Sequence, residues 1–527
     1  MMKRRTFLRG ATALSGAMII PAGGLWAAPE AQPFSYEALI ARAQEMAGQA
    51  YEPPLRPAPE VVDQIDYARH GELVFRTDKA MFSGQPDTGA EKGYPLEFFP
   101  LGKYATKRVQ MFAVENGQAT EILYTPDFFN MPADNPARQL PSNAGFAGFR
   151  LQEWYTESDW TRQDWVAFQG ASYFRAIGAD GQYGLSARGI LIDAAVSGLP
   201  EEFPDFREFY IEQQPGSTPD TPVTICALLD GLSVTGAYRF RITRGLDRSK
   251  GVIMEIEARV FLRKSVSRLG LIPLTSMFWY GEYGKGRMQD WRPEVHDSDG
   301  LAMWAGSGER IWRPLNNPDY TSVSAFGDES PRGFGLLQRD RNFDHYLDGV
   351  FYDRRPSLWV EPIKPLGRGS VQLLEIPTDD EIHDNIGAFW VPEGPAEKGN
   401  SYDLHYRLYW QSNEPFPATN IAQTVATRIG RGGQPGHPRP ADVYHFAVEF
   451  DRPSVLTKLP YGVFPEVVVS ASRGEVSRLF AEPVPNGNVW RGNFDLKLMP
   501  GELADLRMYL ALDGEPLTET WLYQFQA

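Results

Sequence analysis

The sequence contains little cysteine and little histidine. Cys226 is the only cysteine among 527 residues, which excludes an intrachain disulfide framework and a thiolate zinc cluster. The seven histidines include no HExxH motif, so a zinc hydrolase has weak support, and no serine lies in a GxSxG nucleophile elbow. We therefore expect neither a cofactor nor a dedicated set of metal ligands, although the composition leaves a bound cation open.

Basic charge and long apolar runs are also scarce. The 52 basic and 67 acidic side chains give a formal net charge of -15. Nucleic acid or an anionic membrane surface is therefore disfavoured as the main partner, because phosphate binding needs a basic face. The apolar run near the N-terminus is short and is interrupted by Gly16 and Pro21, whereas a membrane anchor needs roughly 20 apolar residues. A neutral ligand and no stable membrane insertion are expected.

The N-terminal segment has the pattern of an export signal. Arg4 and Arg5 open it, a weakly apolar run follows, and small residues occur near Ala27. This pattern predicts a twin-arginine signal peptide over residues 1–28 that is removed after export. Because that pathway carries folded proteins, we expect the protein in the periplasm of a Gram-negative bacterium.

One helix and many strands are predicted in the rest of the chain. Ser35 is a plausible N-cap for a helix whose apolar face contains Leu39 and Ala43. Elsewhere apolar and polar residues alternate, as in "VIMEIEARVFL" (252–262) and "YDLHYRLYW" (402–410), and 50 Gly and 42 Pro separate such runs. The pattern is typical of a large antiparallel β-sandwich.

A second, smaller domain is predicted at the C-terminus. Strand alternation stops after Gln411 and resumes near residue 444, and three short strand patterns follow, "VFPEVVVSAS", "VWRGNFDLKL" and "LRMYLALDG". We interpret 29–412 as the large sandwich, 413–440 as a linker and lid loop, and 441–527 as an immunoglobulin-like sandwich. The segment 429–445 is interpreted as a moving lid, because its Gly and Pro content provides hinges without strand pairing.

Carboxylate side chains close in sequence to aromatic ones are abundant in the chain. Sugars stack their C–H faces on the rings of Trp or Tyr, while polar side chains bind the hydroxyls, and glycosidic cleavage needs two carboxyl groups. Two segments, "EVHDSDGLAMW" and "EIPTDDEIHDNIGAFW", carry the acids Glu294, Asp297, Asp299, Asp379, Asp380, Glu381 and Asp384. The alternative is that these acids accept backbone N–H groups in turns.

Several longer motifs resemble those of a known family. The motifs are "GASYFRA", "QYGLSARG", "PLTSMFWYG", "RPEVHDSDGLAMW", "PRGFGLLQRDRNFDHY", "RRPSLWVEP", "DNIGAFWVP" and "ETWLYQF", in order along nearly all of the mature chain. They closely resemble the periplasmic glucan biosynthesis family of OpgG and OpgD, and the twin-arginine leader favours the OpgD branch. The resemblance implies an all-β chain with a galactose-mutarotase-like sandwich followed by an immunoglobulin-like sandwich.

The resemblance also implies a substrate and a reaction. The substrate would be β-1,2-linked glucan of the osmoregulated periplasmic type, and the activity that of an inverting endo-β-1,2-glucanase. By motif, Asp384 of "HDNIGAFW" is the expected general acid and Asp297 of "HDSDG" the expected general base, while Asp299 is interpreted as a turn acid or as an acid that supports the site without contacting substrate. An inverting pair stands roughly 6.5–9.5 Å apart, or farther if protons are relayed through a substrate hydroxyl or water.

Further residues are candidates for binding the glucan. They are Glu381, Tyr352, Arg355, Trp359, Glu361, Arg188, Trp304 and Arg310. The alternatives are a core position for Trp359, loop-bridging roles for the arginines, and a solvent-facing turn for Glu381. Two rival functions also stay open: a non-catalytic carrier that receives glucan from a membrane glucosyltransferase, and a branching transglycosylase. A homodimer is compatible with the sequence, but no residue pattern specifies one.

Overall fold

The structure is a computed structural model that describes residues 30–83, 92–153, 163–214, 216–245, 247–284, 286, 290–434, 436–451, 455–485 and 489–527. The predicted signal peptide, 1–28, lies outside these residues. None of the helices in the described ranges has the length and apolar character needed to span a bilayer.

Strands account for most of the regular structure. In chain order they are β1 (Gln32–Pro33), β2 (Val74–Phe75), β3 (Met81–Ser83), β4 (Lys92–Phe99), β5 (Gln110–Glu115), β6 (Gln118–Glu121), β7 (Phe129–Asn130), β8 (Gly148–Gln152), β9 (Asp164–Gln169), β10 (Tyr173–Ala176), β11 (Ser186–Arg188), β12 (Ile190–Ile192), β13 (Asp205–Glu212), β14 (Val223–Asp230), β15 (Val234–Thr243), β16 (Val252–Leu262), β17 (Leu269–Ser276), β18 (Phe278–Tyr280), β19 (Val295–His296), β20 (Gly300–Trp304), β21 (Arg310–Pro314), β22 (Ser322–Glu329), β23 (Gly333–Leu337), β24 (Ser357–Pro362), β25 (Arg368–Glu375), β26 (Ile386–Pro392), β27 (Ser401–Gln411), β28 (Gln423–Arg431), β29 (Val443–Asp451), β30 (Glu466–Ala471), β31 (Glu475–Pro483), β32 (Trp490–Lys497), β33 (Leu503–Leu512), β34 (Glu515–Pro516) and β35 (Thr520–Gln526). The chain is therefore all-β, as predicted.

The predicted N-terminal helix is confirmed. The helices are α1 (Tyr36–Ala47), α2 (Pro59–Val62) and α3 (Tyr67–Gly71), with short 3-10 turns at Thr77–Lys79, Pro126–Phe128, Pro136–Gln139, Ser142–Ala144, Arg248–Lys250, Phe343–His345, Tyr352–Arg354 and Val455–Lys458. The Ser35 hydroxyl caps α1 by accepting a hydrogen bond from the Ala38 N–H at 3.1 Å. Leu39 and Ala43 are buried against the outer face of the strands that follow.

Two large sheets form the main sandwich. The large sheet has the order β1-β6-β5-β13-β14-β15-β16-β27-β24-β23-β20-β21-β35-β33-β30, and the second sheet has the order β22-β25-β26-β17-β11-β10-β9-β8-β4-β3. In β16, buried and half-buried residues alternate without exception from Val252 to Leu262, which is the predicted period of two. The sheets meet in a common core, where the Phe168 ring of β9 lies 5.1 Å from that of Phe240 in β15.

The C-terminal strands both complete the large sheet and cover one end of it. The C-terminal sheet has the order β28-β29-β32-β31. It packs on β33 and β35 through a second core that includes Phe446, Phe494 and Trp521. β35 pairs in parallel with β21 of the main sandwich, with Trp521 opposite Trp312. The C-terminal strands β33 and β35 are therefore part of the large sheet, so more than a linker connects the C-terminal region to the main sandwich.

The structure differs from the prediction of a linker and lid loop over 413–440. The segment interpreted as linker, 413–440, contains β28, and β28 pairs along its length with β29. Its Thr427 and Gln423 point inward, so polar residues mask the strand pattern in the sequence. The predicted lid, 429–445, is consequently the end of a hairpin, and Gly432 still pairs with Val443 just beyond β28. Strand pairing at both ends argues against a freely hinged lid.

Candidate active site

The base predicted from the sequence, Asp297, is held in the turn between β19 and β20. Its N–H donates to the carbonyl oxygen of Met277 at 2.9 Å. The side chain is 13% exposed, and its Oδ1 lies 3.4 Å from Nε of Arg355, although neither atom has a hydrogen-bond partner among the described residues. Because a buried carboxylate oxygen without a hydrogen bond is costly, this acceptor is typical of a reacting group more than of a structural one.

The acid predicted from the sequence, Asp384, lies on the segment between β25 and β26. In contrast to Asp297 its side chain is exposed, so it can meet a ligand from solvent. Its electrostatic neighbours include the Thr275 hydroxyl on β17 and Arg175 on β10. The charge of Asp384 in turn acts on Asp297, and Arg175 acts on both carboxylates. The fold therefore brings two aspartates that are 87 residues apart in sequence into one electrostatic environment.

Both aspartates have raised pKa values. Desolvation is the largest cause for Asp297; Asp384 raises its pKa further, while Arg355, His296 and Arg175 lower it. For Asp384, desolvation by the surrounding protein raises the pKa, and Thr275, Arg175 and His383 lower it. The recess around Asp384 thus desolvates a carboxyl group that remains accessible. Shifts in this direction let a carboxyl group keep its proton to higher pH than a free aspartate does, which favours general acid catalysis.

Glu381 is part of a charged cluster beside the aspartates. Its Oε2 accepts hydrogen bonds from Arg292 at 2.7 Å and from the hydroxyl of Tyr352 at 2.5 Å. Arg292 also binds Asp290 and Asp348, so it links three acids at once. These partners fix the Glu381 carboxylate and neutralise much of its charge. Glu381 is not among the groups that shift the pKa of Asp384, and its role in positioning sugar hydroxyls stays a prediction.

A buried network lies directly behind Asp297. Nδ1 of His296 lies 3.0 Å from Oε1 of Gln338, and Nε2 lies 3.0 Å from Oε2 of Glu294. The Gln338 amide donates to Tyr346 and to two backbone carbonyl groups, so its Oε1 is the acceptor that faces Nδ1–H. With a carboxylate facing Nε2 as well, the imidazole carries protons on both nitrogens. A positive charge therefore sits next to the proposed base.

The charge on His296 has a consequence for stability. Burial alone would lower the pKa of His296, but the hydrogen bond and charge of Glu294 raise it to about 9 from 6.5. Since the folded-state pKa is the higher one, the stabilisation is complete below pH 6.5 and is lost as pH rises through 9. We expect the unfolding free energy of the wild type to fall between these pH values by about 3 kcal/mol more than that of His296→Gln.

Denaturant titrations at both pH values measure this difference. Substituting the exposed His70 by Gln provides the matched control and should preserve the wild-type slope. Identical pH slopes in the wild type and His296→Gln would show that His296 is neutral in the folded protein.

Polar residues on the outer face of the second sheet complete the site, and only Arg188 among them was singled out in the sequence. Tyr173 pairs with Arg188 across β10 and β11, and Ser186 pairs with Thr275 across β11 and β17. Arg175 lies on the same face as Tyr173, and its guanidinium covers the ring of Tyr183 at 4.7 Å. "GASYFRA", "QYGLSARG" and "PLTSMFWYG" carry these residues, but only strand register brings them together beside Asp384.

The predicted binding residues divide into two groups. Arg355 contacts Asp297, and its guanidinium lies 5.2 Å from the ring of Tyr352, so these two residues lie at the site. Arg188 pairs with Tyr173 on the neighbouring strand. Burial is the main cause that raises the pKa of Tyr173, and the charge of Asp384 raises it further, so Tyr173 lies between Arg188 and the site. Arg188 is itself buried, however, and donates to Glu201 at 2.7 Å, as expected of an arginine that bridges loops.

The remaining predicted residues lie elsewhere. Trp359 is 1% exposed in the second core, where Gly333 leaves room for its ring, so it has no free face for a sugar. Glu361 accepts a hydrogen bond from Tyr409 at 2.6 Å. Trp304 and Arg310 stack on each other at 3.8 Å at the end of β20 that is distant from Asp297. The structure places none of these four against the aspartates.

Two other acidic features have structural roles or partners. Both carboxylate oxygens of Asp299 accept hydrogen bonds from the N–H groups of Arg339 and Asp340, so Asp299 joins two distant segments of the chain. Glu294, Asp340 and His345 each place one possible ligand atom within 4.8 Å of the others, a spacing that a cation would accept. Each is already bound, since His345 pairs with Asp340 and Glu294 pairs with His296. We assign no metal to this cluster.

Comparison with known proteins finds one family model and several relatives, all described as glucan biosynthesis proteins. The family model described as "Periplasmic glucan biosynthesis protein, MdoG" matches residues 34–525. "Glucans biosynthesis protein D 2" of Ralstonia nicotianae is 54% identical over 501 residues, which cover 94% of this chain and 91% of that protein. "Glucans biosynthesis protein D" of Stenotrophomonas maltophilia is 43% identical, and its namesake from Xanthomonas oryzae pv. oryzae is 44% identical, each over 99% of this chain and 98% of that protein.

Proposed function

Because the chain belongs to the MdoG family of periplasmic glucan biosynthesis proteins, we propose that it cleaves β-1,2-linked glucan as an inverting endo-glucanase. The observation that carries the proposal is the aspartate pair. Asp297 is buried beside Arg355, Asp384 is accessible, and the charge of Asp384 acts on Asp297. Two carboxyl groups in different environments are what acid and base roles require.

In the proposed reaction the two aspartates have separate tasks. A water molecule loses a proton to the Asp297 carboxylate and attacks the anomeric carbon, forming a new C–O bond with inverted configuration. The glycosidic C–O bond breaks as Asp384 supplies a proton to the leaving oxygen, directly or through a sugar hydroxyl. Asp384 ends ionised and Asp297 ends protonated, and exchange with solvent restores both.

The surrounding residues support this division. Arg355 and the positively charged His296 lower the pKa of Asp297, so they oppose the effect of burial and favour the ionised base. Tyr173 and Arg175 are available to bind sugar hydroxyls on the sheet face beside Asp384. Glu381 is held in place by Arg292 and Tyr352. We further propose export by the twin-arginine pathway, on the N-terminal sequence alone.

One incubation tests the function. The purified protein is mixed with linear β-1,2-glucan, and the anomeric configuration of new reducing ends is followed by proton NMR before mutarotation. Shorter chains with inverted ends are expected. Products longer than the substrate would instead indicate a branching transglycosylase, and measurable binding without any cleavage would indicate a carrier.

Replacing Arg355 tests the state of the proposed base. Without the guanidinium the pKa of Asp297 should rise further, because the largest opposing charge is removed. In Arg355→Met we expect the acidic limb of the pH profile of kcat/KM to move to higher pH. Arg355→Lys, which retains the charge, should move the limb less. A uniform loss of kcat/KM at all pH values would mean that Arg355 only binds substrate.

A further inference from the structure

An aromatic pocket lies between the main sandwich and the C-terminal strands, separate from the aspartate pair. Its volume is about 410 Å³. One side is formed by β18, the turn after it and the loop after β21, and the other by β28, β29 and β35. Pockets of this size with aromatic walls and a few polar groups are typical of small-ligand sites. Both sandwiches contribute to this one.

The aromatic side chains present usable faces. Tyr320 is 48% exposed at the rim, and Trp279 is partly exposed. Opposite them, the ring of Tyr444 lies 4.8 Å from that of Phe525 at an interplanar angle of 63°. An exposed aromatic face can stack against the C–H face of a pyranose ring, and the polar atoms of the pocket can then bind the sugar hydroxyls.

The polar groups in the pocket favour a neutral, hydroxyl-rich ligand. Glu375 is the only acidic side chain that lines it among the described residues, and that carboxylate is bound by Arg313 at 3.1 Å and by the N–H of Asn316 at 2.6 Å. Arg431 is the only basic side chain in the described lining, and it is exposed. The indole N–H of Trp279 is buried and unpartnered. The exposed guanidinium of Arg431 is therefore available as a donor, while the one acidic side chain in the described lining is already bound.

The pocket shares its framework with the proposed catalytic pair. The side-chain amide of Asn317 donates to the carbonyl oxygens of Trp279 at 3.0 Å and Thr378 at 2.7 Å, and its Oδ1 accepts from the Thr378 N–H at 2.9 Å. Trp279 follows Met277, which binds the backbone of Asp297, and Thr378 begins the segment that ends at Asp384. Asn317 therefore ties the pocket wall to both segments that lead to the aspartates.

We propose that this pocket is a second glucan-binding site, which holds a few glucose units of β-1,2-glucan away from the bond that is cleaved. The identity of the polymer rests on the proposed function. The site gives the C-terminal sandwich a part in substrate binding, through Tyr444, Phe525 and Arg431. A chain held at two sites remains at high effective concentration near the aspartates after each release.

Binding stoichiometry tests the proposal. The full chain with Asp384→Asn, which should not cleave the probe, is titrated calorimetrically with a short β-1,2-linked glucose oligosaccharide. Two binding events are expected. Adding Tyr320→Ala and Arg431→Ala should remove one event or weaken it about ten-fold or more, which corresponds to about 1.4 kcal/mol. Tyr461→Ala, at a fully exposed tyrosine outside the pocket, is the control and should leave both events unchanged.

The outcomes separate this proposal from the catalytic one. Two events that survive the double substitution, or a single event from the start, would overturn the second site even if the wild type cleaves glucan. Loss of one event in a protein whose wild type never cleaves glucan would support the pocket and overturn the catalytic function. Both substituted side chains are exposed, so the fold should persist, as circular dichroism can verify.

Discussion

Asp384→Asn is expected to lower the turnover of β-1,2-glucan by about 10²–10⁴-fold. The amide has nearly the shape of the carboxyl group, but it has no proton to give to the leaving oxygen. Desolvation holds the pKa of Asp384 above its ordinary value, so a proton is present closer to neutral pH than on a free aspartate. Because the side chain is exposed, it should contribute little to the stability of the fold. Glucan binding and the unfolding midpoint should therefore change little.

The comparison with a neighbouring acid makes this measurement specific. Asp379 lies on the same segment, is exposed, and has the same charge. Asp379→Asn should therefore cleave linear β-1,2-glucan at close to the wild-type rate when new reducing ends are counted. Retention of most activity in Asp384→Asn, or an equal loss in both variants, would remove Asp384 from the role of general acid.

Asp297→Asn should cause a loss of similar size for a different reason. The carboxylate that accepts the proton of water is lost, while the buried volume is kept. Since burial raises the pKa of Asp297, the folded protein pays to hold it ionised at neutral pH, and a neutral amide relieves that cost. We therefore expect inactivity without loss of thermal stability. The double variant Asp297→Asn/Asp384→Asn should be little worse than either single one, because the two groups act in one step.

Asp299 supplies the contrasting case two residues away. Its carboxylate accepts backbone N–H groups of Arg339 and Asp340, so Asp299→Asn should lower the unfolding midpoint and leave substantial turnover in the folded fraction. Thermal scans paired with initial rates separate the two effects. A destabilised but active Asp297→Asn would reverse the assignment of these two acids.

Much of the fold could be predicted because burial follows local periodicity. Alternation in "VIMEIEARVFL" specified which residues of β16 face the core, and the N-cap at Ser35 specified the start of α1. Pairing between distant segments leaves no such local trace. The parallel contact of β21 with β35 and the polar inward positions of β28 were accordingly missed, and 413–440 was interpreted as a linker.

The site was predictable only where a motif carried it. Asp297 and Asp384 came from a family resemblance, since composition alone could not distinguish them from turn acids such as Asp299. Trp359 and Trp304 looked like sugar platforms because exposure cannot be read from an isolated tryptophan, and the structure buries the first and stacks the second on an arginine. Arg175 and Thr275 depend on the register of separate strands, which one sequence does not specify.

The contact between β21 and β35 also sets an order of events during synthesis. Thr520 binds Glu309 across 211 residues of sequence, and Arg339 forms a two-bonded ion pair with Glu519 next to it. Until the ribosome has made the last strand, β21 is an edge with unpaired backbone groups, open to association with other chains. Completion of the main sheet is therefore expected to wait until β35 has left the ribosome, and a chaperone that shields this edge should raise the folding yield.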